Sequence, residues 1–338
     1  MTHPAPICIY GAGHIGCYVG ARLAAAGADV TLIGRPRVLD ELRAHGLGYS
    51  DYLGRHGEVP AAALRLATGP EAAAGAALVL VCVKSGATAE VGGLLHGVLA
   101  PGTPVLSLQN GLHNAEVLAE RLPGCTVLAG MVPFNVVPLA PGRYHQGTQG
   151  RLDAQRHDAL ARWQPLFERA GLGLALHDDM AAVQWGKLLL NLNNPINALS
   201  GLPIRAMLHE RTLRRCMALA QREALGLLRA AGIRPARMTP LPPQWVPALL
   251  GLPDALFLRL AQRMLAVDPH ARSSMADDLA KGRVSEVDHI NGEIVALARR
   301  LGRSAPVNAR LVALMREAEA GGRKDFDGAQ LLAQLRAA

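Results

Sequence analysis

Four apolar residues, Ile7-Cys8-Ile9-Tyr10, run directly into Gly11-Ala12-Gly13-His14-Ile15-Gly16 and then into a helical stretch ending near Gly27. Strand, glycine turn and helix in that order form the opening of a dinucleotide-binding βαβ unit. Gly11 permits the tight turn, Gly13 lets the backbone approach a pyrophosphate, and Gly16 lets the helix pack closely on the strand. The pyrophosphate belongs at the helix N-terminus, where backbone N–H groups and the helix dipole favour negative charge. His14 and Ile15 therefore join the three glycines as cofactor-binding candidates, with contact between the His14 side chain and the cofactor left open.

The same alternation continues through the first half of the chain. Ile7–Tyr10, Val30–Ile33, Leu78–Val83, Val105–Leu108 and Thr126–Met131 read as short buried strands separated by helix-like segments. That pattern predicts a parallel sheet with helices on both faces. Gly46–Leu66 reads as an inserted hairpin, and Phe134–Val137 with Arg143–Gln146 as a second one, closed by Pro-Leu-Ala-Pro-Gly. Beyond Asp178 the period becomes helical, over Met180–Leu199, Arg211–Ala231, Pro253–Ala266, Met275–Lys281, Glu286–Leu301 and Val307–Ala320. Met238–Pro253, with five prolines and a tryptophan, predicts an ordered loop or short helix over a cleft. The expected fold class is α/β: an N-terminal Rossmann-type parallel-sheet domain over residues 1–178 and an all-helical C-terminal domain over 179–338.

Composition narrows the function classes. Half of the 338 residues are hydrophobic, yet Gly, Pro or charge interrupts every apolar run before the roughly 18 residues of a membrane span. No basic region, apolar core and cleavage site precede the glycine motif, so the cytoplasm is the expected location. The five cysteines are scattered with no His at ligand spacing, so neither a disulfide framework nor a metal site is expected. The formal charge of +8 is spread along the chain and only 4% of residues are aromatic, which argues against nucleic acid and fits a solvated basic surface. A positive cleft for an anionic cofactor and an acid substrate is equally compatible. An apolar face on the C-terminal helices can serve as core or as a homodimer interface.

The second strand ends in Ile33-Gly34-Arg35-Pro36-Arg37, where an NAD site would place Asp or Glu on the ribose hydroxyls. Asp29 precedes that strand, and Asp40 and Glu41 fall within the next helix. Arg35, with or without Arg37, can instead pair with a 2′-phosphate, which points to NADP. Two more strand ends, Val83-Lys84-Ser85-Gly86 and Leu108-Gln109-Asn110-Gly111, belong beside the same crevice. Lys84 can approach cofactor or an anionic substrate, and Asn110 offers a donor and an acceptor near the nicotinamide. Plain turn chemistry explains either equally well.

In the second half, Trp185-Gly186-Lys187-Leu188-Leu189-Leu190-Asn191-Leu192-Asn193-Asn194-Pro195 places a lysine and several amides in an apolar helix. Offsets of four and seven lie within about 40° on a helix, so Lys187, Asn191 and Asn194 are expected on one face. Burial lowers a lysine pKa and suits it to donate a proton to a forming alkoxide. A lysine at a domain interface, with amides satisfying helix ends, is the other reading. Ser273 or Ser274 is expected to cap one later helix and Ser285 the next.

These segments together resemble ketopantoate reductase, or 2-dehydropantoate 2-reductase. The resemblance runs from Gly11 to about Asn291, through the glycine motif, the strand-end lysine, Gln-Asn-Gly, Trp-x-Lys-x-x-x-Asn, Ser-Ser-Met and Glu-Val-Asp-His-Ile-Asn-Gly. It implies that Lys187 is the general acid, protonating the carbonyl oxygen during hydride transfer from NADPH. It further implies that Glu286 positions the substrate hydroxyl and carbonyl, and that Asn110, Asn191 and Ser274 bind substrate, with Ser274 near the carboxylate. Lys84 matches the lysine at the junction of cofactor and substrate. One departure concerns a second asparagine, eight residues after the lysine in the family: Pro195 stands there, and Asn194 falls at seven. The Met238–Pro253 stretch is also longer than in compact members. The implied activity is reduction of ketopantoate to pantoate. A paralogue acting on another 2-oxo acid, a wider hydroxyacid or phosphosugar dehydrogenase, and a non-catalytic NADP sensor are the alternatives.

Overall fold

The computed structural model describes residues 5–265 and 271–338; the first four residues and the expected end of a helix at Ala266 lie outside them. The chain divides into two compact units, Met1–Met180 and Ala181–Ala338.

In unit 1 the strands are β1 (Ile7–Tyr10), β2 (Val30–Ile33), β3 (Leu47–Asp51), β4 (His56–Val59), β5 (Arg65–Ala67), β6 (Leu78–Val81), β7 (Pro104–Ser107), β8 (Thr126–Met131), β9 (Val136–Ala140), β10 (Arg143–Gln146), β11 (Leu152–Gln155) and β12 (Leu174–His177). Its helices are α1 (His14–Ala25), α2 (Pro36–His45), α3 (Thr88–Leu95), α4 (Asn114–Arg121), α5 (Asp158–Ala161) and α6 (Gln164–Arg169), and α7 (Met180–Asn191) begins at its last residue. The main sheet has eight strands in the order β12-β11-β8-β7-β6-β1-β2-β5. All pairs are parallel except β8 with β11, where the direction reverses. Alternation along β1 explains why this strand is apolar throughout. Ile7 and Ile9 join one core with Leu32, Leu78, Leu80 and α1, while Cys8 and Tyr10 join another with Val79, Val81, α3 and α4. Both faces are covered, as a doubly wound sheet requires. Burial pushes the Cys8 thiol up to about 12, so it behaves as a small apolar side chain.

Both expected hairpins form, the first only over Leu47–Val59 because Arg65–Ala67 joins the main sheet beside β2 as β5, and they are not separate. β3 and β10 pair in parallel, joining them into one four-stranded sheet, β4-β3-β10-β9. Pro138 lies inside β9 rather than in the turn, which is tolerated because β9 is an edge strand. This sheet lies against α1. Arg22 of α1, 4% exposed, donates to the Ala170 carbonyl (2.7 Å) and pairs with Asp51 of β3 (3.2 Å), fixing α1 from the side away from β1.

The described residues of unit 2 contain helices and no strand. They are the remainder of α7, then α8 (Asn194–Ser200), α9 (Ile204–His209), α10 (Arg211–Ala230), α11 (Val246–Leu250), α12 (Asp254–Leu260), α13 (Gln262–Leu265), α14 (Ser274–Ala280), α15 (Asn291–Arg300), α16 (Pro306–Glu319) and α17 (Gly328–Arg336). The helix expected over Met180–Leu199 is interrupted at Leu192–Asn193. Pro195 has no N–H to reach the Asn191 carbonyl, so α7 stops and a new helix starts with the proline in its first turn. The helix expected from Glu286 likewise starts late, after a 3-10 turn at Val287–His289. There the wholly buried Asn291 side chain donates to Asn308 Oδ1 (2.9 Å), a tertiary contact that outweighs the local period. Met238–Pro253 is an ordered segment holding a 3-10 turn, Pro243–Trp245, and α11. The wholly buried Arg214 anchors its end by donating to the carbonyls of Leu208 (2.9 Å), Leu250 (3.2 Å) and Leu252 (3.0 Å). Among the described residues no helix is long and apolar enough to cross a membrane.

Candidate active site

The glycine turn is built by backbone constraint. Gly11 has φ +114°, and a Cβ there would stand 2.8 Å from the Cys82 carbonyl carbon, so only glycine fits. Its N–H and that of Ala12 both donate to the Ile33 carbonyl, at 2.9 and 3.0 Å, which ties the turn to the end of β2. A Cβ on Gly16 would overlap the Gly11 carbonyl oxygen, so the close approach of α1 to β1 depends on its absence. Gly13 differs from both. It caps α1 with extended backbone, and a Cβ there meets nothing within 4 Å.

The acids near β2 are all engaged elsewhere. Asp29 pairs with Arg65 (2.7 Å), Asp40 with Arg43 (2.6 Å), and Glu41 accepts from the Gly142 N–H (2.8 Å). Arg35 caps α2 at the strand end and is exposed; Arg37 is exposed one turn on, 4.0 Å from Glu41.

Lys84 is exposed at the end of the β6 segment, and Asn110 is half-buried beyond β7. A polar network joins these two strand ends. The Asn110 carbonyl accepts from Ser85 Oγ (2.7 Å) and Asn114 Nδ2 (2.5 Å). Asn114 Oδ1 accepts from the Thr88 hydroxyl (2.6 Å), which accepts from Gln109 Nε2 (2.7 Å), and Gln109 Oε1 accepts from Ser107 (2.9 Å). Sequence reasoning singled out Lys84 and Asn110 and missed Ser85, Thr88, Gln109 and Asn114, which fix the backbone between them. The available signal was the polar run immediately after each apolar strand.

In unit 2, Lys187 is half-buried within α7, and desolvation by burial lowers its pKa to about 8. Asn191 ends the same helix four residues on. Asn194 opens α8 instead of extending the Lys187 face, which corrects the single-helix expectation. Ser273, not Ser274, caps α14, accepting from the Ala276 N–H (3.2 Å). Its hydroxyl also donates to the Asn194 carbonyl (3.2 Å), so the Ser273-Ser274 turn sits beside the start of α8. Ser274 is exposed. Glu286 is half-buried just before the 3-10 turn, where Ser285 Oγ accepts from the Val287 N–H (3.3 Å) and the Ser285 N–H donates to Glu319 (2.8 Å). Among the described residues no group of His, Cys, Asp and Glu is arranged to hold a metal ion.

Gly186, next to Lys187, has a packing role. The Ala236 N–H donates to the Ala182 carbonyl (2.7 Å), laying residues 236–238 along α7, and a Cβ on Gly186 would meet the Ala236 carbonyl oxygen at 2.5 Å. Alanine in place of a mid-helix glycine normally adds up to about 1 kcal/mol of stability. Here the overlap is with backbone, so Gly186→Ala is expected to lower stability by about 1–3 kcal/mol. Thermal unfolding measures this, and an unchanged or raised Tm would refute the close approach.

Two family descriptions cover most of the chain: "Ketopantoate reductase PanE/ApbA" matches residues 7–159 and its C-terminal counterpart residues 179–319. The chain belongs to the ketopantoate reductase family. It is 30% identical over 323 residues to the 2-dehydropantoate 2-reductase of Halobacterium salinarum, covering 94% of this chain and 99% of the relative. It is also similar to the crystal structure of a PanE/ApbA family ketopantoate reductase from Ralstonia eutropha JMP134, with TM-score 0.80, 31% identity and coverage of 94% and 99%. The ternary structure of D-mandelate dehydrogenase with NADH and anilino(oxo)acetate shares the fold, with TM-score 0.77, 20% identity and coverage of 94% and 99%. This ketopantoate reductase family member is therefore an oxidoreductase of that family, with a Rossmann-like first half and a helical second half.

Proposed function

We propose that this chain reduces 2-dehydropantoate (ketopantoate) to pantoate with NADPH, a step toward pantothenate and coenzyme A. The observation that carries the reading is Lys187, an amine that burial in an apolar helix brings to a pKa of about 8. Such an amine holds a proton near neutrality and releases it readily to the oxygen of a carbonyl under reduction. Asn191, Asn194 and Ser274 orient the 2-oxo acid, Ser274 toward its carboxylate, and Glu286 positions the carbonyl region; fixed amides and hydroxyls of this kind act by orientation. Asn110 and Lys84 serve the substrate and cofactor ends that their network holds in place.

The turn fits a dinucleotide phosphate: open space faces Gly13, and no side chain caps the first turn of α1. Gly11, Gly13, His14, Ile15 and Gly16 would hold the pyrophosphate and Arg35 the 2′-phosphate. When bound, the reduced nicotinamide supplies the hydride. The preference for NADPH rests on the engaged acids around β2 and the exposed Arg35. Arg35→Ala is expected to raise the KM for NADPH about 10–100-fold, as loss of a charge-assisted contact implies, with little change for NADH. Equal effects on the two cofactors would count against the assignment.

The shared fold of D-mandelate dehydrogenase favours one second reading, reduction of a different 2-oxo acid. Nicotinamide absorbance is followed with 2-dehydropantoate, pyruvate and phenylglyoxylate, each with NADPH and NADH. A kcat/KM for 2-dehydropantoate no better than for the others would sink the first reading and leave the second.

A further inference from the structure

Asn197 has no place in the reading so far, yet its position in α8 is unusual. It is wholly buried between Ile196 and Ala198 in a helix whose neighbouring side chains are apolar. Its Oδ1 accepts from the Ser273 N–H at 2.8 Å, across 76 residues of sequence, and its Nδ2 donates to the Leu202 carbonyl at 2.8 Å. One partner is a donor and the other an acceptor, so the carboxamide has a single workable orientation. We infer that Asn197 is a positioning residue, whose carboxamide sets where Ser274 stands relative to the Asn191–Asn194 turn and thereby sets affinity for the substrate carboxylate. This rests on the 2-oxo acid reading above.

The neighbouring bonds make the clamp directional. Ile204 N–H donates to the Ala271 carbonyl (2.8 Å), the Arg272 guanidinium donates to the Gly201 carbonyl (3.0 Å), and Ser273 Oγ donates to the Asn194 carbonyl (3.2 Å). Every residue from 271 to 273 is thus tied to the 194–204 segment, and Ser274 is the first that is not. Its hydroxyl is exposed and makes no hydrogen bond among the described residues. Asn197 is wholly buried and Ser273 is buried, whereas Arg272 is exposed. Loss of the Asn197 amide leaves the Ser273 N–H and the Leu202 carbonyl without their partners and frees the turn to shift. Displacements of about 1 Å are enough to weaken an oriented contact strongly.

The test compares Asn197→Ala, Ser273→Ala, Ser274→Ala and the Asn197→Ala/Ser274→Ala double variant in the full chain, with 2-dehydropantoate and NADPH. The clamp predicts at least a tenfold rise in KM for the oxo acid in Asn197→Ala and Ser273→Ala, kcat within about threefold, and KM for NADPH within twofold. It also predicts that Asn197→Ala adds little to Ser274→Ala, because residues acting through one contact are not additive. A folded variant with lowered Tm but unchanged KM, or effects that add fully in the double variant, would overturn the proposal; if Asn197→Ala does not fold, Asn197→Ser, whose shorter side chain gives up the bond to the Ser273 N–H, decides by the same readouts. Amide hydrogen exchange is read on the same proteins without substrate. Faster exchange at residues 273–276 in Asn197→Ala supports the clamp and unchanged exchange refutes it, so a wild type that reduces no 2-oxo acid counts against the reductase reading alone.

Discussion

Lys187→Met is expected to cut kcat by about 10²–10⁴-fold, the range for loss of a positioned proton donor, with cofactor affinity kept. Methionine matches much of the length of the lysine and removes its charge. Because desolvation by burial draws the Lys187 pKa down to about 8, the charged form is disfavoured in the folded chain relative to the unfolded one, whose lysines titrate near 10.4. Between those two values the unfolded state binds more protons, so stability rises with pH through that window, and at neutral pH the buried charge is a cost. Turnover of Lys187→Met should collapse while the protein stays folded. The pH profile carries the same sign: the protonated amine is the donor, so wild-type kcat for reduction is flat well below about 8 and falls as pH passes through it. Lys187→Arg would not restore it, since a guanidinium does not release its proton in this range. Stopped-flow single turnovers, thermal unfolding and a pH series together decide the matter. A Lys187→Met enzyme within threefold of wild type, or a wild-type profile that rises through this pH, would remove Lys187 as the acid.

How much of this was legible depends on whether the cause is local. The glycine turn could be read because strand, turn and helix are contiguous and each glycine answers a backbone need. The strand ends at Lys84 and Asn110 were legible as places, but not the network between them. Ser85, Thr88, Gln109 and Asn114 look like ordinary turn residues until the fold brings two strand ends together. β11 and β12 were missed because Leu-Asp-Ala-Gln and Leu-Ala-Leu-His are four-residue stretches without a continuous apolar run. The break after Asn191 was written in Pro195 and was passed over because the apolar period continues across it. α17 carried a readable signal, the Asp327–Gln330 capping box, with Asp327 Oδ1 accepting from the Gln330 N–H at 2.8 Å. Asn197 was not legible at all, and Asn291 only as part of a motif, without its bond to Asn308: a single amide in an apolar helix declares its role only through a partner brought from elsewhere in the fold.

The glycine turn gives the second large effect, through a pair of substitutions that separates packing from ligand binding. A Cβ on Gly16 overlaps the Gly11 carbonyl oxygen and stands 3.3 Å from Ile9 Cγ2. Neither neighbour can yield easily, because Gly11 is held at φ +114° by its hydrogen bond to Ile33, and Ile9 is wholly buried in the central strand. Gly16→Ala must therefore lift α1 from β1, against the Arg22 contacts that hold α1 from its other side. The cost is about 1–3 kcal/mol or more, or several degrees in Tm for a unit of this size, and the phosphate-binding turn is lost with it. Gly13→Ala is the control. Its φ of −88° suits alanine and its Cβ enters open space, so Tm should stay within about a degree of wild type. Affinity for the dinucleotide should nonetheless fall at least about tenfold, because the added methyl stands where the pyrophosphate must approach the backbone. Fluorescence titration with NADPH beside thermal unfolding reads both variants. Gly13→Ala with full affinity would mean that the dinucleotide does not lie over this turn, whatever the shape of the fold suggests; Gly16→Ala with an unaltered Tm would mean that α1 and β1 are not packed as described.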